Sequence, residues 1–429
     1  MINFDFVENF DHPLEDEIIK YSREIFEIGK KIKKELGLRK NPFTISDESF
    51  RVESIAGSIS FRDMHINIWP KNLGINGVDK RNSEMLKKLY RRVFETCGKS
   101  INKTIYLSKY QSTNELDCDF LHAISEQFAE ELENAMKHMK ITSYETKIEK
   151  RQSIRGKILV QKELKNPIVE PKTWCKYKKL SEDNNSNRLL LWCCKHLMIL
   201  VSDFKIRNRL ERLVQQFSNV NLTSLDLNFV HRLIVPRQYQ LYSKCLHIAR
   251  NLFLNNYNRK EINSQDGKTF GYIINMEKAF ENIVGVYVES AARKLGLEYR
   301  GQYEKQLADS STGGKYLVRP DDVVISSKGA VIIDAKYKLQ VASQDINKPK
   351  PTREDFYQMI ATCIAYNTYN AILVYPEILN ASKCEHSWEV DNSINGKKIK
   401  ITSRQIDIIA HTDILESRLV EILCESKCV

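Results

Sequence analysis

Apolar residues recur along the chain with two different periods, and the changes between them mark its organisation. Residues 14–38 set Ile18, Ile19, Ile25, Phe26, Ile28 and Ile32 at helical spacing; Lys30, Lys31, Lys33 and Lys34 then read as the solvated basic end of that helix. From Phe43 to Trp69 the pattern turns strand-like, with Val52, Ile55, Ile59, Phe61, Ile66 and Ile68 among turn-formers and Pro70 closing the run. Residues 82–98 return to helix. The stretch from Phe120 to Tyr257 reads as mainly helical, strongest near 121–139, 186–201, 205–217 and 238–256, with a polar, turn-rich Lys165–Asn187 between. No repeat of fixed period is visible.

A third region begins near Phe270. Met276, Phe280, Ile283, Val284, Tyr287, Ala291 and Leu295 define an amphipathic helix over 276–295. Two apolar strands, Tyr316–Ile325 and Ala330–Tyr337, flank a hairpin turn at Ser-Ser-Lys-Gly. After a Lys/Pro-rich loop at 347–351, Thr352-Arg-Glu-Asp355 forms a capping box for a helix running to about Tyr369. Ala371–Tyr375 is a buried strand ended by Pro376. Helix, hairpin, helix, strand is an α/β order. The chain thus divides into an N-terminal α+β domain over 1–115, a mainly helical middle region over 116–265 and an α/β domain over 266–429.

At 429 residues the chain has room for two or three domains, and 16 Gly with 10 Pro argue against long disordered linkers. The net charge of +11 favours a polyanionic partner, nucleic acid being the commonest, although a Lys-rich proteome would leave the same mark. Met1-Ile-Asn-Phe-Asp lacks the basic and apolar segments of a signal peptide, and no stretch reaches the ~20 apolar residues of a membrane span, so a cytoplasmic protein with no membrane partner is expected. The ten cysteines are scattered; Cys193-Cys194 with His196, and Cys424 with Cys428, have no second ligand pair at zinc-site spacing.

The chemistry concentrates in Arg319-Pro320-Asp321, followed after twelve residues by Asp334-Ala335-Lys336. Hydrolysing a phosphodiester needs a metal to make hydroxide and to take up charge on the phosphate. Mg²⁺ asks for hard oxygen ligands and only a few carboxylates. Two acids on adjacent strands of a hairpin can meet at one ion. Asp334 and Lys336, two apart, leave the same strand face, which sets an ammonium beside it. Ile332 and Ile333 place Asp334 at a core edge, where a lone carboxylate is costly. As a bare pattern the segment also suits a plain Asp–Lys ion pair.

With its context, this constellation resembles the PD-(D/E)xK nuclease superfamily, and the chain is similar to the McrC family, the nuclease subunits of McrBC-type restriction systems. The likeness rests on Ile55-Ala-Gly-Ser-Ile-Ser-Phe61, Ile66-Asn-Ile-Trp-Pro-Lys71, Met85-Leu86, Arg155-Gly156-Lys157, Asn187-Arg188, Met276 with Phe280-Glu281, Asp334-Ala-Lys-Tyr-Lys338 and Tyr357-Gln358-Met359. It spans most of residues 50–380, of which the Asp334–Lys338 block is the specific part. The resemblance implies a restriction-endonuclease-like mixed sheet flanked by helices, and a Mg²⁺- (or Mn²⁺-) dependent endonuclease that cleaves double-stranded DNA in antiviral defence. It makes Asp321 and Asp334 metal ligands, Lys336 the catalytic lysine and Glu281 the third acid, with Gly285 letting that helix approach the sheet. Asp322 is set aside because its side chain should face the other way. Gln358, Lys338, Tyr337 and Arg319 are further candidates for site or DNA contact; an exposed helix glutamine, packing and snorkelling would account for the first three equally well. The family also implies a separate AAA+ GTPase or ATPase motor, McrB-like, since Gly313-Gly314-Lys315 lacks the first glycine and the Ser/Thr of a P-loop. A catalytically silent adaptor that activates its motor, and a stand-alone repair or junction nuclease, are the alternatives.

Overall fold

A computed structural model describes residues 2–61, 64–73, 82–97, 100–107, 115–165, 171–201, 203–222, 225–261, 270–309, 315–338, 351–378, 383–391 and 397–426. The Lys/Pro-rich loop (except Pro351), Gly313, Gly314 and Cys428 lie outside them. The protein is a mixed α/β, multi-domain chain of two compact units: residues 1–124 together with 264–429, and residues 125–263.

The larger unit holds two main sheets. The first has five strands in the order Ile2–Val7, Met64–Trp69, Ile55–Phe61, Phe270–Asn275, Ile105–Leu107. Its one parallel pair joins Ile2–Val7 to Met64–Trp69, so a strand at the start of the chain, which the periodicity did not announce, lines up along the Ile66-Asn-Ile-Trp segment. Phe4, Ile18, Ile25, Ile32, Ile59 and Ile66 share one core, which explains the helical spacing near residue 25. That helical stretch breaks at Tyr21 into Asp16–Lys20 and Ser22–Leu36, the latter ended by Gly37 in the left-handed region. Gly57 and Gly271, at φ 138° and 145°, bring two strands very close: a Cβ on Gly57 would stand 2.2 Å from Tyr272 O, and one on Gly271 1.9 Å from Ser58 O. Through this joint the strand Phe270–Asn275 is locked into the first sheet, and it runs directly into the helix Met276–Lys294, with Asn275 as N-cap.

The second sheet has six strands in the order Glu298–Gly301, Asp322–Ser326, Gly329–Ala335, Asn370–Pro376, Lys398–Ile406, His386–Asp391. The hairpin is antiparallel, while Asn370–Pro376 runs parallel to its neighbours on both sides. Val323, Ile332, Leu373 and Ile401 pack on one face against Met359, Cys363 and Tyr366 of the helix Arg353–Tyr366. The helix Met276–Lys294 contributes Phe280, Ile283, Val284 and Val288, all fully buried. Two sequence expectations change here. The single strand over Tyr316–Ile325 is two, Lys315–Val318 and Asp322–Ser326, because Pro320 has no N–H to give a ladder. Thr352 caps the helix, accepting from Asp355 N, while the Asp355 carboxylate goes to Lys338 rather than back to the cap, and the helix stops at Tyr366 with Asn367 left-handed.

The smaller unit contains the helices Asn185–Leu200, Phe204–Gln216 and Ser243–Glu261. It also contains a sheet that the helical reading missed. Ser143–Arg151 pairs along nine residues with Thr173–Ser181, and Lys157–Ile158 joins its other side. The expected turn-rich Lys165–Asn187 therefore contains the strand Thr173–Ser181. Its lysines hid it, because only Cys175 and Tyr177 are buried and the rest of the ribbon is at least partly exposed, which leaves little apolar alternation. Here Gly156, at φ 72°, lets the chain pass Lys176 O, which a Cβ would approach to 2.5 Å. Asn187 donates to Ile141 O and Glu182 O, and Arg188 pairs with Asp183 at 2.7 Å. The two short marks at Arg155–Lys157 and Asn187-Arg188 thus have structural work to do in this unit.

Candidate active site

The hairpin register pairs Asp322 with Ile333, which brings Asp321, just before the strand, level with Asp334. Asp321 Oδ2 accepts a hydrogen bond from Ala335 N at 2.9 Å, and its Oδ1 accepts one from the Gln302 amide at 3.2 Å. The same amide donates to Glu281 Oε1 at 2.6 Å, so Gln302 bridges the helix acid and the hairpin acid. Gln302 itself sits at φ 51° with its N–H on Asp321 O, the kind of local strain that marks positioned side chains. Sequence reading missed Gln302, which lies in the stretch between the helix Met276–Lys294 and the hairpin and belongs to no motif.

Asp334 is 2% exposed and its Oδ2 lies 2.5 Å from Lys336 Nζ. Alternation from Ile332 puts both on the face of the helix Arg353–Tyr366. That helix supplies two partners. Gln358 Oε1 accepts from Lys336 Nζ at 3.2 Å, and Asp355 Oδ1 lies 3.9 Å from the same ammonium. Asp355 also holds Lys338 at 2.6 Å. Gln358 and Lys338 therefore stand at the site, and Asp355 joins them as a residue the sequence had offered only as part of a cap. Arg319 is exposed and pairs loosely with Glu304 at 3.5 Å. Tyr337 is the correction: at 5% exposed, its hydroxyl faces Glu8 and Asn72, leaving no surface for a DNA backbone.

Asp322 is buried on the other side, beneath the helix Met276–Lys294. Tyr299 donates to its Oδ1 at 2.7 Å, and a Cβ on Gly285 would stand 3.2 Å from that same oxygen. Gly285 leaves room for a carboxylate there. Asp322 Oδ2 has no hydrogen-bond partner among the described residues.

Negative charge is crowded in this corner. Burial, then Asp334 and Glu281, push the Asp321 carboxyl up to about 8. Burial pushes Asp322 up to about 7, with the Tyr299 hydroxyl working against it. For Lys336, burial acts to lower its pKa, but Asp334 and Asp355 outweigh that and raise it. The donors are hard oxygens around one ammonium, a set that suits Mg²⁺ or Mn²⁺ and offers nothing soft. As the side chains stand, no three Asp, Glu, His or Cys among the described residues are placed to hold an ion together. Glu281 is engaged by Lys278 at 2.5 Å and by Gln302, and Asp334 by Lys336. The structure brings Asp321, Asp334 and Lys336 together, and keeps Glu281 within reach of their charge but turned to other partners. Mg²⁺ commonly takes one or two carboxylates and completes its shell with water, so Asp321 and Asp334 fit it.

Among the described residues, no helix is long and apolar enough to cross a membrane. A family model described as McrBC 5-methylcytosine restriction system component matches residues 50–376. Among solved structures, the chain is similar to one in the refined half-complex from the tetradecameric assembly of Thermococcus gammatolerans McrB AAA+ hexamers with bound McrC. That likeness has 14% identity and a TM-score of 0.63, and covers 99% of this chain and 100% of that one. The cryo-EM structure of the Thermococcus gammatolerans McrBC complex is similar at 15% identity and TM-score 0.44, over 70% of this chain and 90% of that one. No curated protein matches the chain.

Proposed function

The chain belongs to the McrBC 5-methylcytosine restriction system component family, and from that premise we propose that it is the nuclease subunit of such a system, a Mg²⁺-dependent endodeoxyribonuclease worked by a separate AAA+ motor. One observation carries the reading: across the end of one hairpin, Asp321 and Asp334 come level while Lys336 leaves the Asp334 face at 2.5 Å. The core around them is read as the PD-(D/E)xK sheet, with Asp321 and Asp334 as the metal carboxylates and Glu281 as the acid that can be recruited once Gln302 and Lys278 release it. A bound divalent cation would supply hydroxide at neutral pH and take up charge on the phosphate oxygens. The chain's own groups do the rest. Lys336 presents an ammonium to the developing negative charge, and Gln358 and Asp355 hold it in line. Lys338 and Arg319 offer cations to the DNA backbone at either side.

Motor dependence is consistent with the same geometry, in which Glu281 is held by Lys278 and Gln302, and Asp334 by Lys336. Cleavage of duplex DNA carrying 5-methylcytosine, measured with and without an McrB-like motor and its nucleotide, tests the reading. The chain alone should cut slowly and the motor should raise the rate many-fold. Fast cleavage without a motor would instead describe a stand-alone nuclease. Stimulated nucleotide hydrolysis with no cleavage would describe an adaptor. Salt must be held constant, since phosphate contacts make binding steeply salt-dependent.

A second expectation needs no cutting. A carboxyl whose folded value is raised keeps a proton that the unfolded chain has lost. For Asp321, between the ordinary 3.8 and about 8, stability therefore falls as pH rises. Thermal midpoints of the metal-free protein should drop by several degrees across that window, and saturating Mg²⁺ should restore more at the alkaline end. Asp321→Asn should flatten both trends. Midpoints that ignore Mg²⁺ at every pH would remove these carboxylates as the metal site.

A further inference from the structure

The Pro70-Lys71 pair that ends the strand Met64–Trp69 finds no use in the chemistry above, yet Lys71 is among the most buried side chains in the molecule, at 1% exposed. Its ammonium donates to the backbone carbonyl of Tyr337 at 2.8 Å, lies 3.6 Å from Glu8 Oε1 and sits 3.9 Å from the centre of the Tyr337 ring. Glu8 is wholly buried, and its other oxygen accepts from the Tyr337 hydroxyl at 3.1 Å. Both members of this buried pair therefore also hold Tyr337, the residue between the two lysines of the site.

The backbone there is a tight turn. Lys336 N bonds to Val374 O, continuing the ladder, and Lys338 N then closes onto Lys336 O at 2.8 Å, a three-residue turn centred on Tyr337. On either side of it Lys336 reaches Asp334 and Gln358, and Lys338 reaches Asp355. Lys71 grips the turn by its central carbonyl. The first sheet also holds the facing helix: Ser54 Oγ donates to Glu277 Oε1 at 2.6 Å, and Met276 N donates to Ser54 O at 3.0 Å, one turn before Glu281. The strand that bears Asp334 and the helix that bears Glu281 are thus both pinned to the same sheet.

A buried ion pair is a poor source of stability, since an apolar pair of the same shape usually does as well or better. Burial opposes charge on both groups here, raising the pKa of Glu8 and lowering that of Lys71. What a lysine adds over a methionine is a directed donor on one carbonyl. We propose that Lys71 is a positioning residue for the nuclease site: by holding the Tyr337 carbonyl it fixes the turn that aims Lys336 and Lys338, and it makes the N-terminal sheet part of the catalytic frame. The proposal rests on the nuclease reading of that site.

The test is the full chain carrying Glu8→Gln together with Lys71→Met, which removes both charges and keeps the volume. It should melt within a few degrees of the wild type. Its amide hydrogen exchange over 332–338 should speed up about tenfold or more. In cleavage with the motor its kcat should fall about ten- to a hundredfold, with KM for DNA within about twofold, because a 1 Å misplacement costs rate more than binding. A folded double variant with wild-type kcat, or with unchanged exchange over 332–338, overturns the proposal. If the variant does not fold, exchange of the wild type in mild denaturant decides: segments 64–73 and 332–338 should open together, and independent opening overturns it. If the wild type never cuts DNA and Asp334→Asn behaves identically, the nuclease reading fails and takes this inference with it. If the wild type cuts and the double variant cuts as fast, only the role of Lys71 falls.

Discussion

Replacing Asp334 by asparagine should lower the proposed Mg²⁺-dependent cleavage by at least about a thousandfold and leave the protein folded. The size follows from what the proposed nuclease site would lose: a carboxylate for the metal, where each preorganised electrostatic contact is worth about two to three orders of magnitude in rate. Folding survives because asparagine keeps the shape of a side chain that is 2% exposed at the core edge beside Ile332, while Lys336 retains Asp355 at 3.9 Å as a counter-charge. Two measurements settle it. Cleavage with the motor should vanish, and Mg²⁺ should no longer raise the thermal midpoint. Persisting cleavage would mean that the hairpin is not the site. Loss of folding would say that Asp334 serves the core, and Asp321→Asn would then carry the test.

Lys336→Met should fall nearly as far, by about a hundred- to a thousandfold, but with the opposite metal signature. The methionine keeps the stem that packs at the strand end and removes the ammonium proposed to face the phosphate. Asp334 then has no lysine at 2.5 Å competing with the cation, so Mg²⁺ should stabilise the variant at least as much as the wild type. Lys336→Arg should not restore the rate, because a guanidinium is larger and planar and the Lys336 side chain is only 18% exposed among Asp334, Gln358 and Asp355. Measured side by side, the Asp334 variant loses metal and rate together, and the Lys336 variant loses rate alone. A Lys336 variant that cuts normally would reduce the pair to a structural ion pair.

The two variants differ in how far their sites could be read from the chain. Asp334 and Lys336 are two residues apart on a strand, and strand alternation places them on one face wherever the strand lies. The helix Met276–Lys294, the turn closed by Gly329 and the Thr352 cap were equally legible, since each is written within one or two turns of backbone. The strand Ile2–Val7 was not, because its only ladder runs to residues more than 60 positions away and no turn announces it. The ribbon Ser143–Arg151 with Thr173–Ser181 was not, because only Cys175 and Tyr177 are buried in it, too few to make an apolar alternation.

The sequence by itself determined the pairing of acid and lysine, the hairpin that carries them and the amphipathic helix before it, for periodicity and turn chemistry act over a few residues. Tertiary structure alone decided that Glu281 also takes Gln302, that Asp355 holds Lys338, that Tyr337 turns inward, and that Lys71 reaches it across more than 260 positions of chain. Those choices belong to burial. A charged group withdrawn from water takes whichever partner the packed fold brings to it, and that partner need not be near in sequence.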